Sequence, residues 1–194
     1  MTDQEREFYT QHIRERLSDY RFKHSVNVSR EAVRLAVKYG GDVEKAELAG
    51  LLHDVMKDAG KKEQLELMEK YGVKLNEVEQ NAPKLWHAIA GAVYVKRVLK
   101  IRDKDIVNAV RYHTTARTEM SLLEKIIYTA DYTAKGRDYN GVEVMRELSR
   151  RSLEDAMIFS YQFTLNKLSS LKSAIHPDEI FGYNDIVLNR NGKE

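Results

Sequence analysis

The sequence contains no cysteine among its 194 residues. This absence excludes disulfide bonds, iron–sulfur clusters, zinc sites with thiolate ligands and a cysteine nucleophile. If the protein holds a metal ion, the ligands must therefore come from histidine, aspartate and glutamate side chains. The six histidines of the chain are the first candidates.

Proline and glycine are also scarce, with 2 and 10 residues respectively, whereas 42% of the residues are hydrophobic. This composition favours a compact helical body with short connections between its elements. We find no persuasive alternation of apolar and polar residues of the kind that indicates β-strands. The sequence therefore predicts an all-α helical bundle, formed as a single domain over residues 1–194.

No apolar run approaches the roughly 20 residues that a membrane-spanning helix needs. Residues 1–7 are polar and lack the apolar segment of a secretion signal. The 32 lysine and arginine residues nearly balance the 30 aspartate and glutamate residues, so the net charge of +2 gives no argument for nucleic-acid binding. We expect a soluble, cytoplasmic protein without a nucleic-acid or membrane partner. A local basic pocket for a phosphorylated small molecule is compatible with this balance.

Helical periodicity, capping residues and glycine stops predict a series of helices. They cover approximately residues 2–17, 24–39, 43–54, 61–69, 84–99, 103–112, 121–131 and 142–171. Residues 18–23, residues 72–83 and the tail from residue 176 are predicted to be irregular. Two helix starts carry the pattern of a capping box, Thr2-Asp3-Gln4-Glu5 and Ser121-Leu122-Leu123-Glu124. In the second helix, Val26, Val33 and Val37 lie on one face.

The most informative stretch is Ala49-Gly50-Leu51-Leu52-His53-Asp54-Val55-Met56-Lys57. Leu48, Leu51 and Leu52 form the apolar stripe of a core-facing helix, and a histidine and an aspartate stand where that stripe should continue. Buried imidazole and carboxylate groups need partners, because their removal from water is costly. A divalent metal ion is one such partner. The structural alternative is a core histidine beside a helix-end aspartate.

Further histidines and an aspartate share this context of helix ends and small or apolar neighbours: His24, His87, His113 and Asp131. Each alone has a structural explanation, such as packing against Trp86 for His87 or an ion pair with Arg137 or Lys135 for Asp131. Together they resemble the way a helical bundle builds a metal site from several helices. Mixed imidazole and carboxylate ligands suit a divalent ion of the first transition row better than calcium.

Several segments in fixed order carry a resemblance to a known family. They are Arg21-Phe22-Lys23-His24-Ser25, Leu51-Leu52-His53-Asp54-Val55-Met56-Lys57, Trp86-His87-Ala88, Tyr112-His113-Thr114-Thr115, Met120-Ser121-Leu122-Leu123-Glu124-Lys125-Ile126-Ile127-Tyr128-Thr129-Ala130-Asp131 and Arg137-Asp138-Tyr139. The chain resembles the HD-domain metal-dependent phosphohydrolases, and more closely the bacterial YqeK family of symmetrical diadenosine-tetraphosphate hydrolases. The resemblance covers roughly residues 15–180, which would form the domain core. Two loops depart from the family pattern, at Ala116 and at Tyr132-Thr133-Ala134-Lys135-Gly136, and both departures leave the candidate ligands intact.

The resemblance implies an HD-domain helical bundle with a bound metal ion, which is iron in this family, with manganese or another first-row ion as an alternative. The implied ligands are His24, His53, Asp54 and Asp131. His87 and His113 are positions where related enzymes hold a second metal ion, and the sequence does not decide between that role and substrate binding. The implied catalytic residues are Asp54, Lys57, His87 and His113. The implied substrate-binding residues are His24, Lys57, His87, His113, Thr114, Arg137, Ala174, Ile175, His176, Pro177, Asp178 and Glu179, of which the last six close over the product ADP.

A bound metal ion lowers the pKa of its water, and Lys57 and Arg137 are natural cations for the charge of a phosphoanhydride. We therefore expect hydrolysis of diadenosine tetraphosphate between its two central phosphates, which yields two molecules of ADP, with Asp54 orienting the attacking water. Two alternatives stay open: an HD phosphohydrolase that acts on another nucleotide, and a nucleotide-binding regulatory module without turnover. A purely structural helical protein would require six polar residues in similar apolar contexts by coincidence. Base recognition and oligomeric state, with a dimer as one option, cannot be deduced from the sequence.

Overall fold

The computed structural model describes residues 1–191, which contain α-helices, one short 3₁₀ helix at Pro83–Leu85 and no β-strand. The helices are α1 (Asp3–Arg16), α2 (Asp19–Tyr39), α3 (Val43–Leu52), α4 (Lys61–Lys70), α5 (Glu77–Asn81), α6 (Trp86–Arg97), α7 (Lys104–Tyr112), α8 (Leu122–Thr133), α9 (Val142–Ser149), α10 (Leu153–Ser170) and α11 (Pro177–Asn191). The all-α prediction is confirmed. The single domain over 1–194 stays a prediction, and its residues 192–194 lie outside the described part of the chain.

The main core lies where α2 packs on α3 and α8, and where α7 packs on α6 and α8. Leu35, Leu52, Val110 and Ile126 are completely buried in it. A smaller apolar cluster around Tyr128 joins α8 to α10 and α11. Burial of these apolar side chains is the main favourable term in folding. Within residues 1–191, no helix is both long enough and apolar enough to cross a membrane.

Capping boxes begin three of the helices. Thr2 and Glu5 exchange side-chain and backbone hydrogen bonds at the start of α1, and Ser121 and Glu124 do so at α8, as the sequence predicted. A third box opens α5 from Asn76, inside the segment 72–83 that was predicted to be irregular. That prediction is wrong because a five-residue helix is too short to show apolar periodicity.

The start of α2 also differs from the prediction, because the helix begins at Asp19 and not at His24. Residues 20–23 are aromatic or charged, and Tyr20 is 64% exposed, so this first turn shows no apolar stripe. Asp19 nevertheless suits a helix start, since a negative charge there is favourable for the helix dipole. The three valines do not mark the core face of α2, since Val37 is 68% exposed. The buried face of α2 consists of His24, Ser25, Val28, Ser29, Ala32, Leu35 and Ala36.

Two predictions for the C-terminal third are wrong. The long helix over 142–171 is divided into α9 and α10, because Ser152 accepts a hydrogen bond from the backbone N–H of Asp155 and starts a new helix. Residues 177–191 of the tail, which was predicted to be irregular, form α11. Pro177 stands at the first position of α11, where its missing N–H costs nothing, and Asp178 and Glu179 follow in the first turn.

A glycine allows α2 and α3 to approach closely and brings His24 near His53. A Cβ atom on Gly50 would lie 2.7 Å from the Cα and 3.1 Å from the backbone nitrogen of Ser29. Such backbone contacts cannot be relieved by a side-chain rotation. The close approach of these two helices therefore depends on glycine at this position.

We expect Gly50→Ala to lower the free energy of unfolding by about 1–3 kcal/mol, because the added methyl group forces α2 and α3 apart. Urea denaturation measures this difference. Gly60→Ala is the matched control, since a Cβ atom at Gly60 meets nothing within 4 Å. Equal stability of the two variants would contradict the close packing described above.

Candidate metal centre

Six predicted residues from five helical segments converge at one place in the bundle. They are His24 on α2, His53 and Asp54 directly after α3, His87 on α6, His113 directly after α7, and Asp131 on α8. Their side chains are buried, with Asp131 the most accessible at 16% exposure. The structure thus brings together all residues that the sequence suggested as metal ligands, including the two suggested for a second metal ion.

Three of the imidazoles are oriented in the same way. In His53, His87 and His113, Nδ1 lies 2.7, 2.8 and 2.8 Å from the carbonyl oxygen of the residue three positions earlier in the chain. A carbonyl oxygen can only accept, so Nδ1 carries the proton and donates it. The neutral ring therefore presents an unprotonated Nε2 to the centre, which is the form that binds a metal ion.

One half of the cluster consists of His24, His53 and Asp131. Asp131 Oδ1 lies 2.9 Å from Nε2 of His24 and 3.6 Å from Nε2 of His53, and the two Nε2 atoms are 3.3 Å apart. One ligand atom from each residue lies within 4.8 Å of the others. This spacing can place three donors around a single ion.

The other half is formed by His87, His113 and Asp54. Asp54 Oδ1 lies 3.2 Å from Nε2 of His87 and 3.4 Å from Nε2 of His113. The second carboxylate oxygen of Asp54, Oδ2, lies 3.7 Å from Nε2 of His53. Asp54 therefore stands between the two halves and offers one oxygen to each of them.

The charge state of the cluster suits a cation. Burial raises the pKa of Asp54, but the charged and polar groups around it, Lys57 among them, outweigh this effect, and the pKa lies well below the usual range. For Asp131, burial likewise raises the pKa, but Arg137 and a hydrogen bond with His24 outweigh this effect and hold the pKa well below the usual range. Burial lowers the pKa of His53 to about 3. Two ionised carboxylates thus lie beside the neutral imidazoles of His53 and His87 near neutral pH.

A divalent metal ion fits this donor set. Asp54 Oδ1 is buried without a hydrogen-bond donor in the described chain, because the imidazole nitrogens that face it carry no proton. An ionised oxygen in such a position is costly unless a cation binds to it. The nitrogen and oxygen donors are those that a first-row divalent ion prefers.

Three cations lie at the rim of the cluster. Lys57 Nζ is 2.9 Å from Nε2 of His87 and 3.7 Å from Oδ1 of Asp54. Arg137 pairs with the carboxylate of Asp131 and also donates to its backbone oxygen at 2.6 Å. Arg21 lies 3.7 Å from Asp54 Oδ2. Arg21 was not predicted as a site residue. It lies one turn before His24 on α2, in a segment that was predicted to be irregular.

An arginine that the sequence did not indicate stabilises the loop that carries Arg137. Arg146 on α9 donates to the carbonyl oxygens of Thr133, Ala134 and Arg137 at 3.1, 3.1 and 3.2 Å. These bonds fix the turn after α8. Arg146 therefore helps to set the position of the Arg137 guanidinium beside Asp131.

A cavity of about 370 Å³ adjoins the cluster at Thr114, the residue after His113. Thr114 Oγ1 is buried and has no hydrogen-bond partner among residues 1–191, so it is available to a ligand. Of the segment predicted to close over the product, Ala174, His176 and Glu179 line this cavity, whereas Ile175, Pro177 and Asp178 do not. A second cavity of about 200 Å³ reaches the cluster beside its arginine and is lined by Asp131, Tyr132, Arg137, Tyr139 and Phe163.

Both ring nitrogens of His176 are engaged with the protein. Its Nδ1 accepts a hydrogen bond from the backbone N–H of Asp178 at 3.1 Å, so Nε2 carries the proton. That Nε2 lies 3.3 Å from Oε1 of Glu79, a buried carboxylate that also pairs with Arg111. His176 therefore anchors the start of α11 to α5 and thereby positions the wall of the larger cavity.

Glu179 has no such partner. It is only 4% exposed, and its carboxyl group has neither a hydrogen bond nor an ion pair within the described residues. Burial raises the pKa of Glu179 from 4.5 to about 7. The structure thus places a carboxyl group of high pKa in the wall of the larger cavity.

The raised pKa of Glu179 predicts a loss of stability with increasing pH. Between pH 4.5 and about 7 the folded protein keeps a proton on this group that the unfolded chain has released, so folding becomes less favourable as pH rises. The loss is of the order of 3 kcal/mol and persists above that window. We expect Glu179→Gln to remove it, so that the variant gains stability relative to wild type between pH 4.5 and 8. Urea denaturation at several pH values tests this, with the exposed Glu77→Gln as control; a constant difference would contradict the prediction.

Comparison with known proteins gives a consistent assignment. A sequence model of the HD domain family matches residues 21–136. The chain is 37% identical to the symmetrical bis(5'-nucleosyl)-tetraphosphatase of Bacillus subtilis over 90% of its own length and 94% of that protein, and 37% identical to the protein of the same name from Halalkalibacterium halodurans over 91% and 94%. It is also similar to a crystal structure from Clostridium acetobutylicum, described as a predicted HD superfamily hydrolase involved in NAD metabolism. The TM-score is 0.91 with 36% identity, and the match covers 94% of this chain and 97% of that one.

Proposed function

Because the chain belongs to the HD domain family and, within it, to the symmetrical bis(5'-nucleosyl)-tetraphosphatases, we propose that it hydrolyses diadenosine tetraphosphate between the two central phosphates. The products would be two molecules of ADP. The observation that carries this proposal is the buried Asp54 carboxylate, which faces proton-free imidazole nitrogens beside Lys57 and next to a cavity. Such a site combines cation binding with room for a phosphorylated ligand.

HD domain hydrolases bind divalent metal ions, and the His and Asp cluster of this chain is suited to one. For the identity of the ion we propose iron, held by His24, His53, Asp54 and Asp131. When bound, such an ion makes water a nucleophile near neutral pH and neutralises charge on phosphoryl oxygens. His87 and His113 offer two further proton-free nitrogens beside Asp54 Oδ1, which supports a second metal position there over a role as proton donors.

The cations at the rim would bind and orient the phosphate chain. Lys57 lies on the side of His87 and Asp54, and Arg137 lies on the side of Asp131 and His24. A phosphoryl group between them would contact a positive charge on each side, and Arg137 can donate two parallel hydrogen bonds. Asp54 would orient the attacking water by accepting its hydrogen bond, so that attack occurs in line with the leaving ADP.

One ADP half would occupy the larger cavity. Thr114 Oγ1 has an unused hydrogen-bonding capacity close to the cluster, where the phosphates would lie. The nucleoside would extend along the wall formed by Ala174 and Glu179. In this arrangement the segment 174–179 forms one side of the pocket, and the phosphates lie beside Lys57 and Arg137.

The decisive experiment is an anaerobic incubation of the purified protein with ferrous ion and diadenosine tetraphosphate, followed by chromatography of the products. ADP as the only product is the expected result. AMP together with ATP would show that the pocket holds the substrate off-centre and would contradict symmetrical cleavage. Tight binding of ADP without turnover would favour the regulatory module. The cytoplasmic location and the absence of a nucleic-acid partner stay predictions.

A further inference from the structure

The larger cavity contains a carboxyl group for which the phosphate chemistry has no use. Glu179 lines this cavity, yet no cation lies against its carboxyl group in the described chain. Lys57 and Arg137 are engaged with the metal cluster. A buried carboxyl group without a partner is unfavourable for folding, which indicates a partner that is not part of the protein.

The walls of the cavity suit a flat apolar ring. Most of the wall surface is apolar, with contributions from Val78, Ala82, Leu85 and Leu168. Other lining side chains can form hydrogen bonds, among them Thr114 next to the cluster, and both ring nitrogens of His176 are engaged with the protein. Within the described residues, Glu179 is the acidic group of this wall, and its carboxyl group has no partner. A pocket of this kind typically recognises the polar edge of its ligand through a few well-placed polar groups.

We propose that Glu179 determines base specificity by hydrogen bonding to the Watson–Crick edge of the nucleobase in this cavity. The inference rests on the proposed function for the presence of a nucleotide there. Adenine presents an acceptor at N1 beside a donor at its N6 amino group, and a carboxylic acid has the matching donor and acceptor. Guanine presents two neighbouring donors, at N1 and at its N2 amino group, and an ionised carboxylate matches these instead. The protonation state of one side chain would thus select the base.

The surroundings of Glu179 allow this protonation change near neutral pH. Burial raises its pKa to about 7. Tyr128 and Tyr132 face it from α8 and Tyr161 faces it from α10, and burial raises the pKa of all three phenols, so they stay neutral. Lys84 and His176 line the same cavity, the latter with its proton directed to Glu79. Glu179 is therefore the acidic group of this cavity that changes charge between pH 6 and pH 8.

The test compares kcat/KM for diadenosine tetraphosphate and diguanosine tetraphosphate at pH values from 6 to 8. The ratio of the two cancels any effect of pH on the chemical step. In the wild-type protein we expect the ratio of kcat/KM for the adenine substrate to that for the guanine substrate to fall by roughly tenfold as the pH rises. A change of this size corresponds to the loss of one well-formed pair of hydrogen bonds. Glutamine has the donor and acceptor of a carboxylic acid but cannot ionise. Glu179→Gln should therefore keep the adenine preference at every pH.

Glu77→Gln is the matched control, because Glu77 is exposed on α5, a helix that contributes other residues to the cavity wall. Its ratio should follow the wild-type curve. A wild-type ratio that does not change with pH would overturn the inference. So would an equal loss for both substrates in Glu179→Gln that disappears with the 2′-deoxy substrates, since that result assigns Glu179 to the ribose.

Product affinities keep the two proposals distinguishable. Calorimetry of ADP and GDP binding at pH 6 and pH 8 should show the same fall of the adenine-to-guanine ratio in wild type, and no fall in Glu179→Gln, without any turnover. If neither tetraphosphate is hydrolysed but this fall occurs in wild type alone, the proposed function fails and base recognition by Glu179 stands. If hydrolysis occurs and ADP and GDP bind with a pH-independent ratio, the proposed function stands and the inference fails.

Discussion

Asp54→Asn is expected to lower kcat/KM for diadenosine tetraphosphate by about 10³-fold or more, which corresponds to about 4 kcal/mol of transition-state stabilisation. Asparagine has the same shape but carries no charge. The variant loses the one carboxylate that offers an oxygen to both halves of the cluster. It also replaces an acceptor with an amide group that cannot bind a metal ion through its nitrogen. Steady-state kinetics with added ferrous ion measures the effect.

Metal content, determined by elemental analysis after anaerobic loading, should fall in the same variant, while its thermal unfolding stays cooperative. Asp58→Asn is the matched control, since Asp58 is an exposed carboxylate four positions further along the chain and asparagine can still accept the hydrogen bonds from Ser18. Wild-type turnover by Asp54→Asn would exclude the proposed role of the cluster in catalysis.

Arg137→Lys is expected to lower kcat/KM by about 10²–10³-fold although it keeps the positive charge. Arginine donates through a planar group that pairs with two phosphoryl oxygens, whereas lysine offers a single point charge on a flexible stem. The loss of one preorganised donor to a developing charge typically has an effect of this size. Arg137 is preorganised here, because its guanidinium is held by both the carboxylate and the backbone oxygen of Asp131. The measurement is kcat and KM separately, with metal content determined for each preparation.

Lys135→Ala is the control for this prediction, because Lys135 is an exposed cation two residues away in the same loop. It should have wild-type kinetics. If Arg137→Lys were as active as wild type, a simple positive charge would be sufficient and two-pronged binding of phosphate would be wrong. A loss of metal content that accounts for the whole effect would assign Arg137 to the support of Asp131 and not to the substrate.

Four of the candidate ligands, His53, Asp54, His113 and Asp131, were predictable because each follows an apolar helical stripe, where a buried polar group needs an explanation. His53 and Asp54 after α3, and His113 after α7, have this context in the sequence and lie at the predicted helix ends in the structure. Their convergence could be inferred only from the number of such positions and from the family resemblance. The distances that divide them into two halves depend on how the helices pack, which no local pattern contains.

Other features depended on contacts between distant parts of the chain and were missed. The anchoring of His176 by Glu79 joins residues far apart in sequence. The start signals of α11, Pro177 with acidic residues after it, were present in the tail but were not read as a helix start. Arg146 acts through backbone carbonyl oxygens of another segment, which have no sequence signature. The missing partner of Glu179 could be recognised only after its surroundings were known.

The carbonyl bonds to Nδ1 have a consequence for how such a centre can change over evolutionary time. Each of the three imidazoles is aimed by the last turn before it and not by its fellow ligands. A substitution at one position therefore leaves the hydrogen bonds that orient the other two rings intact. The same independence makes the chain a convenient starting point for installing ligands that select a different ion.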